Sequence, residues 1–480
     1  MILSPGSPPR SWLSPVVHLS NNWISLLGVV IVTTATVFWF FLLPTLLRGE
    51  AANPYAGILV YLMLPTVFIG GLILIPLGIL WRRRRERASG TQPTGFLPLT
   101  FRNPELRRLV AFIGVTTVAN VIIAGQFTYS AVNYMESVSF CGQTCHTVMQ
   151  PEFTAYQSSP HSRVECVKCH IGPGAGWFVR SKLSGVGQVF AVAFNNYPRP
   201  IPTPVHNLRP ARETCETCHW PQVFGGNRLK VISKYADDES NTASKTVLLL
   251  HIGGGNGTQG IHGMHVGPGI RIRYASADEK RQTIPWVEYR DAKGKATAYT
   301  ATDAKGAMPG NLPIREMDCM DCHNRPSHAY EMPDPAVDRA MAAGAISPSL
   351  PFAKKTSVAI LKTAYTTSAD AESRIPVAFQ TFYREKYSTI YATKQPEIEH
   401  SARSVLAIYQ RNIFPAMNVT WGAYPNNVGH IDFPGCFRCH DDGHIADGGA
   451  KITQDCSACH NMLAMEEAAP KILTDLGLEK

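Results

Sequence analysis

Three long apolar runs, six paired-cysteine motifs each followed by a histidine, and one Gly-rich stretch of alternating residues set the fold class of this 480-residue chain. The sequence predicts a mainly α chain with sparse secondary structure: three N-terminal transmembrane helices, then a multihaem cytochrome c domain with a small β insertion. The implied boundaries are 1–135 for a membrane anchor, 136–222 for a three-haem module, 223–318 for the insertion, and 319–480 for a C-terminal three-haem region with a helical insertion.

The anchor comes first. Residues 23–47 and 55–81 are apolar runs with no charge inside, each long enough to cross roughly 30 Å of hydrocarbon as a helix. A third run, 109–131, leads into the first cysteine motif, and Pro44, Pro65 and Pro76 are expected to bend these spans without abolishing them. Arg82, Arg83, Arg84, Arg85 and Arg87 follow the second run, while Arg102, Arg107 and Arg108 precede the third. The positive-inside rule puts that loop in the cytoplasm, so the N-terminus is cytoplasmic and everything after the third span is external. A cleaved signal peptide fits poorly, because the first run is too long, lacks a small-residue cleavage site and is followed by two more spans.

Charge points the same way. Residues 1–130 hold 10 Lys/Arg against 3 Asp/Glu, and the remaining 350 hold 35 against 33. The basic surplus is thus a topology anchor rather than a nucleic-acid surface, and ionised haem propionates would make the external region net acidic. Nucleic acid is not an expected partner; basic redox proteins are.

All twelve cysteines fall in six motifs: Cys141/Cys145-His146, Cys166/Cys169-His170, Cys215/Cys218-His219, Cys319/Cys322-His323, Cys436/Cys439-His440 and Cys456/Cys459-His460. Five have the C-x-x-C-H form, in which two thioether bonds tether a haem and the histidine presents a ring nitrogen to its iron; about 0.01 would arise by chance at these Cys and His frequencies. Zinc ribbons, disulfides and thioredoxin-like motifs do not require a histidine after each pair. The first motif carries three residues between its cysteines, a spacing that still spans a porphyrin edge, so the count is six covalent haem c groups, or five if this site is empty. Attachment takes place outside the bacterial cytoplasmic membrane, in agreement with the orientation read from the arginines.

Residues 136–222 place three haem sites in fewer than ninety residues, too few for an apolar core of their own, so the porphyrins supply much of it. From 223 to 318 the segments VLLLHIGGG, GIRIRYASA and TIPWVEYRDAKGKATAYT alternate like strands, with a turn at Asp291–Gly294. Helical patterns follow at Asp334–Ala345, Ser357–Tyr365 and Val377–Gln410, the first with Asp334 as N-cap and Pro335 in the first helical position.

Low-spin electron-transfer haems need a second axial ligand. His161, His206, His328, His430 and His444 lead the candidates, most of them near haem motifs and held by Pro, Gly or Asn turns. His262 and His265 of GIHGMHVG form a second tier, of which His265 enters the expected set; His251 and His400 read as ordinary polar residues, and His18 lies on the cytoplasmic side. Met149, three residues after His146, is the candidate non-histidine ligand at the first haem. WFVRSKLSGVGQVFAVAF reads as an amphipathic segment with Trp177 and Phe178 at the interface level and Arg180 and Lys182 facing phosphates.

FCGQTCHTVMQPEF, SPHSRVECVKCHIGPGAGWFVRSKLSG and RPIPTPVHNLRPARETCETCHWP resemble the NapC/NirT family of membrane-anchored multihaem quinol dehydrogenases, especially its longer three-span members from metal-respiring bacteria. The resemblance covers about residues 110–222. It implies an inner-membrane protein with its haem domain in the periplasm, taking electrons from the quinol pool, menaquinol or ubiquinol, and passing them to periplasmic cytochromes or reductases. It also implies that Met149 ligates the first haem and that Lys182 borders the quinol pocket. Three departures mark this chain: the additional residue in the first motif, Met149 one position later than the family's methionine, and Gln188 in place of a carboxylate after Lys182. The alternatives are a passive membrane relay fed by another quinol-oxidising subunit, and a terminal reductase of a small oxyanion at an open haem. A homo-oligomer is compatible with each.

Overall fold

The computed structural model describes residues 22–47, 63–91, 129–144, 146–205, 208–220, 225–254, 259–303 and 312–478, with isolated residues in 15–20, 118–127 and at 257. The chain divides into two compact units, Met1–Phe140 and Cys141–Lys480. It is mainly helical with some sheet.

In the first unit, helix α1 (Trp23–Leu47) starts where Asn22 Oδ1 accepts from the amides of Ile24 and Ser25 at 3.0 and 2.9 Å, the usual N-cap solution for orphan donors. Helix α2 (Leu64–Ser89) packs against it through small residues: a Cβ on Gly28 would meet the Gly71 carbonyl at 2.8 Å, and one on Gly78 would meet Ser25 Oγ at 2.5 Å. Ser25 Oγ also donates across the pair to the Ile75 carbonyl at 3.0 Å, beside Pro76. The second apolar run was expected to end at 81. The helix instead carries Arg82–Arg87 onward and stops at Gly90, whose φ of +68° suits glycine, so the arginines sit on its last turns rather than in a loop. Trp23 and Trp81 meet edge to face at 6.2 Å and Arg85 lies 5.5 Å over Trp81, an aromatic and cationic end. Among the described residues, α2 is long and apolar enough to cross a membrane, and α1 contributes a shorter apolar stretch, Trp23–Thr36. Residues 55–62 and most of 109–131 lie outside the described residues.

The second unit opens with helices α3 (His146–Gln157) and α4 (Ala175–Ala193). Strands β1 (Arg228–Tyr235) and β2 (Ala243–Leu250) pair antiparallel, and helix α5 (Gly260–Val266) follows. Strands β3 (Arg271–Ala275), β4 (Trp286–Arg290), β5 (Ala296–Ala301) and β6 (Ile314–Glu316) come next; β4 and β5 are joined through the expected Asp291–Gly294 turn, where the Gly294 amide donates to the Asp291 carbonyl at 2.9 Å. These strands are not a closed insertion. β7 (His444–Ile445) pairs with β5, and β8 (His460–Glu467) pairs with β2, giving sheet orders β6-β3-β4-β5-β7 and β1-β2-β8.

Between them lies the largest protein-only core, built from α6 (Pro333–Ala342), α7 (Ala353–Leu361), α8 (Ser368–Lys386) and α9 (Gln395–Asn412), with Val337, Leu361, Ile375, Phe379, Tyr383, Ile398 and Val405 fully buried. Helix α6 is capped at Met332 with Pro333 leading, so Asp334 is in its first turn and is not the N-cap; its carboxylate accepts from Lys362 at 2.9 Å. The expected 377–410 helix is two long helices, the first starting at Ser368 with Pro376 inside it and ending at Lys386, the second restarting at Gln395-Pro396 after a short helical turn, Ser388–Thr393; Pro396 sits in a first turn, where proline is accommodated. Asn241, at φ +48°, joins the β1–β2 hairpin to this core by donating to the Pro348 and Leu350 carbonyls and accepting from the Lys354 amide.

Candidate haem centres

The first cysteine of each motif lies in a short helical element, Cys141 in a π-helical turn and Cys215 at the end of Ala211–Cys215. Cys166–His170 and Cys319–Cys322 are short α-helices, and Cys436 and Cys456 lie in 3-10 turns. The fourth turn is the most firmly held. Asp318 and Asp321 form a capping box, and the buried Asp321 carboxylate accepts from Tyr274 Oη at 2.6 Å, Arg281 at 3.0 Å and Arg315 at 3.0 Å. The eleven described cysteines are unbridged, and Cys145 lies outside the described residues.

Consecutive motifs are neighbours. The Cys141 thiol is a neighbour of the Cys166 thiol, and that of Cys215 a neighbour of the Cys319 thiol. Cys169 lies within electrostatic reach of Cys218, Cys322 of Cys436, and Cys459 of Cys436. The six motifs therefore follow one another in space in their sequence order.

Five motif histidines each face another histidine. Ring centroids are 5.9 Å apart for His219 and His161, 6.2 Å for His170 and His328, 6.3 Å for His323 and His262, 5.8 Å for His440 and His265, and 6.3 Å for His460 and His430. Two ring nitrogens each ~2 Å from one iron leave their centroids roughly 6 Å apart, so each gap admits a metal ion between the rings. The outer nitrogens are tied back where a ligand needs them: Nδ1 of His265 to the Ile261 carbonyl at 2.7 Å, of His328 to Glu152 at 2.9 Å, of His440 to Thr453 at 2.9 Å and of His161 to Pro326 at 3.3 Å. With a carbonyl as acceptor, each Nδ1 carries the proton and Nε2 is left as the nitrogen that can bind a metal. Burial lowers the basicity of His170, His262, His265, His323, His328 and His460, favouring the neutral ring that a metal requires. The residues present fit axially held haem.

The expected ligand set is only partly brought together. His161, His265, His328 and His430 stand opposite motif histidines, and so does His262, which the sequence placed outside the set. His444 does not: it is 1% exposed, its Nδ1 is bonded to Asp441 at 2.9 Å and its Nε2 to the Ile284 carbonyl at 2.7 Å, so both ring nitrogens are engaged by protein. His206 lies outside the described residues, as do the side chains of His146 and Lys182. Met149 is half-buried one turn beyond His146 on α3. Lys182 belongs to α4, where Arg180 sits 5.3 Å over Trp177 and where Leu183, Phe190 and the following Phe194 expose apolar surface at spacings of seven and four.

The NapC/NirT cytochrome c family, N-terminal region, matches residues 104–200. The chain is 39% identical over 450 residues to the cytochrome c-type protein ImcH of Geobacter sulfurreducens, covering 93% of this chain and 88% of that one. It is 27% identical over 106 residues to the cytochrome c-type protein NrfH of Wolinella succinogenes, covering 20% of this chain and 59% of the other. No solved structure matches it. Serial cysteine motifs with facing histidines, together with the match to ImcH over most of both chains, mark a multihaem electron-transfer cytochrome, and the chain belongs to the NapC/NirT cytochrome c family.

Proposed function

We propose that this protein is a hexahaem quinol dehydrogenase of the bacterial cytoplasmic membrane, anchored by three N-terminal spans with residues 136–480 facing the periplasm. In this reading it oxidises menaquinol or ubiquinol and delivers electrons to periplasmic cytochromes or reductases in anaerobic or metal respiration. Each quinol oxidised yields a quinone, two protons released outside and two electrons. Bound haem supplies reversible one-electron acceptors.

The observation that carries the reading is the unbroken series of neighbouring motifs, five with facing histidine rings. The twelve cysteines tether the groups, His146, His170, His219, His323, His440 and His460 ligate from one side, and His161, His328, His265 and His430 are distal ligands. Met149 fills the distal role at the first site. The apolar face of α4 rests at the lipid surface with Arg180 at headgroup level, and Lys182 holds the quinol oxygen.

The test is quinol-driven reduction of the purified full-length protein, followed by haem absorbance. Met149→Leu and Lys182→Ala are expected to slow it by about tenfold or more, while dithionite reduction stays intact. Unchanged quinol kinetics in both variants would reject the site. A wild-type protein that dithionite reduces and a menaquinol analogue does not would instead be the passive relay.

A further inference from the structure

We propose that helix α5 ligates two irons, His262 the one at Cys319/Cys322-His323 and His265 the one at Cys436/Cys439-His440, and so fixes the step between the fourth and fifth haems of the series. This rests on the reading of the motifs as haem sites.

The helix is short but its placement is over-determined. The Ile261 and His262 amides donate to the His251 and Ile252 carbonyls at 2.8 Å each, stapling its first turn to the end of β2. That staple needs glycine at both crossing points. Gly260 has φ +73° and a Cβ there would lie 2.6 Å from Gly253 Cα; Gly253 has φ +63° and a Cβ would lie 1.9 Å from the Gln259 carbonyl oxygen. At the other end, a Cβ on Gly267 would meet the Gly263 carbonyl at 2.2 Å. The same strand end is tied to the sixth motif, since the His251 amide donates to the Cys459 carbonyl at 2.8 Å.

On this fixed helix, three residues of spacing separate the two histidines by ~4.5 Å along the axis and roughly 60° around it. Each therefore addresses a different ring: His262 faces His323 with centroids 6.3 Å apart, and His265 faces His440 at 5.8 Å. The His265 ring is locked by its own helix through the Ile261 carbonyl, and the His440 ring by Thr453. Beside His262 lies a cavity of about 340 Å³ lined also by Arg212 and Arg271 and by Glu216 and Glu316, so the open side of this histidine is polar with balanced charge. Two irons held by one rigid turn keep a fixed separation, which is what an electron-transfer junction between successive haems requires.

The experiment uses the purified, dithionite-reduced full-length protein and measures carbon monoxide bound per chain beside the pyridine hemochrome. A haem with two protein ligands excludes CO; one that loses a ligand admits it. Relative to the parent, His262→Ala and His265→Ala should each gain one CO per chain and the double variant two, with the hemochrome unchanged because the thioethers and the motif histidines remain. His400→Ala, on the surface of α9, should gain none. No gain in either single variant would overturn the assignment. Should an alanine variant fail to accumulate, His262→Met and His265→Met preserve a ligand; each should move one haem to a more positive midpoint potential, and an unaltered redox titration overturns the proposal equally. A parent hemochrome below five per chain would overturn the underlying reading of the motifs instead.

Discussion

His444 shows how residue type and position can be right and the chemistry different. It lies four residues after His440 at the start of β7, close to a haem motif, yet both ring nitrogens are bonded, to Asp441 and to the Ile284 carbonyl. Its work is to pin β7 against the loop before β4. His444→Gln should therefore leave CO binding and the low-spin haem spectrum unchanged while lowering stability by about 1–3 kcal/mol, the cost of a buried polar group left unsatisfied, read as a shift in thermal unfolding. The proximal ligands were legible because thioether chemistry places them one residue after a cysteine. Four of the facing histidines, His161, His265, His328 and His430, were legible as candidates too, but the motif each one faces was not, because nothing local couples them: His161 stands before the second motif but faces the third motif's His219, and His328 follows the fourth but faces the second motif's His170. Those pairings come from tertiary packing alone.

At the level of elements, periodicity found what packs on protein and missed what packs on haem or on a distant strand. The helices of the 333–412 core were visible as apolar repeats, with the first two displaced by a few residues, while the expected Val377–Gln410 helix starts instead at Ser368 and is broken before Gln395. Phe379 is fully buried in that core, its ring tilted against Tyr383 with centroids 5.2 Å apart. Phe379→Ala should cost about 3–5 kcal/mol by cavity formation, seen in denaturant unfolding, and leave the haem spectrum as it was, since the core includes no motif residue. Helix α5 had only a short signal, glycines bracketing two histidines, which reads equally well as a loop. Strand β8 begins at a haem-motif histidine and β7 has two residues, so neither alternates long enough to be read from the chain.

Over the whole molecule, the C-terminal segments complete what the earlier ones start. β8 closes the β1-β2 sheet, β7 closes the β5 edge, and His328 reaches back to the second motif, so the second unit is interlocked rather than a string of modules. The sequence order of the motifs is preserved in space, while the histidine pairs cross between segments and hold that order in place. The class of the molecule was plain from its cysteines; its stitching was not, because sheet closure and axial pairing are long-range choices. The central claim is that six tethered haems are held with five of them closed by paired histidines. Carbon monoxide titration of the reduced, full-length protein, normalised to its pyridine hemochrome, tests that most directly. The account predicts six haems per chain with no more than one binding CO, and three or more CO-binding haems in the unaltered chain would contradict it.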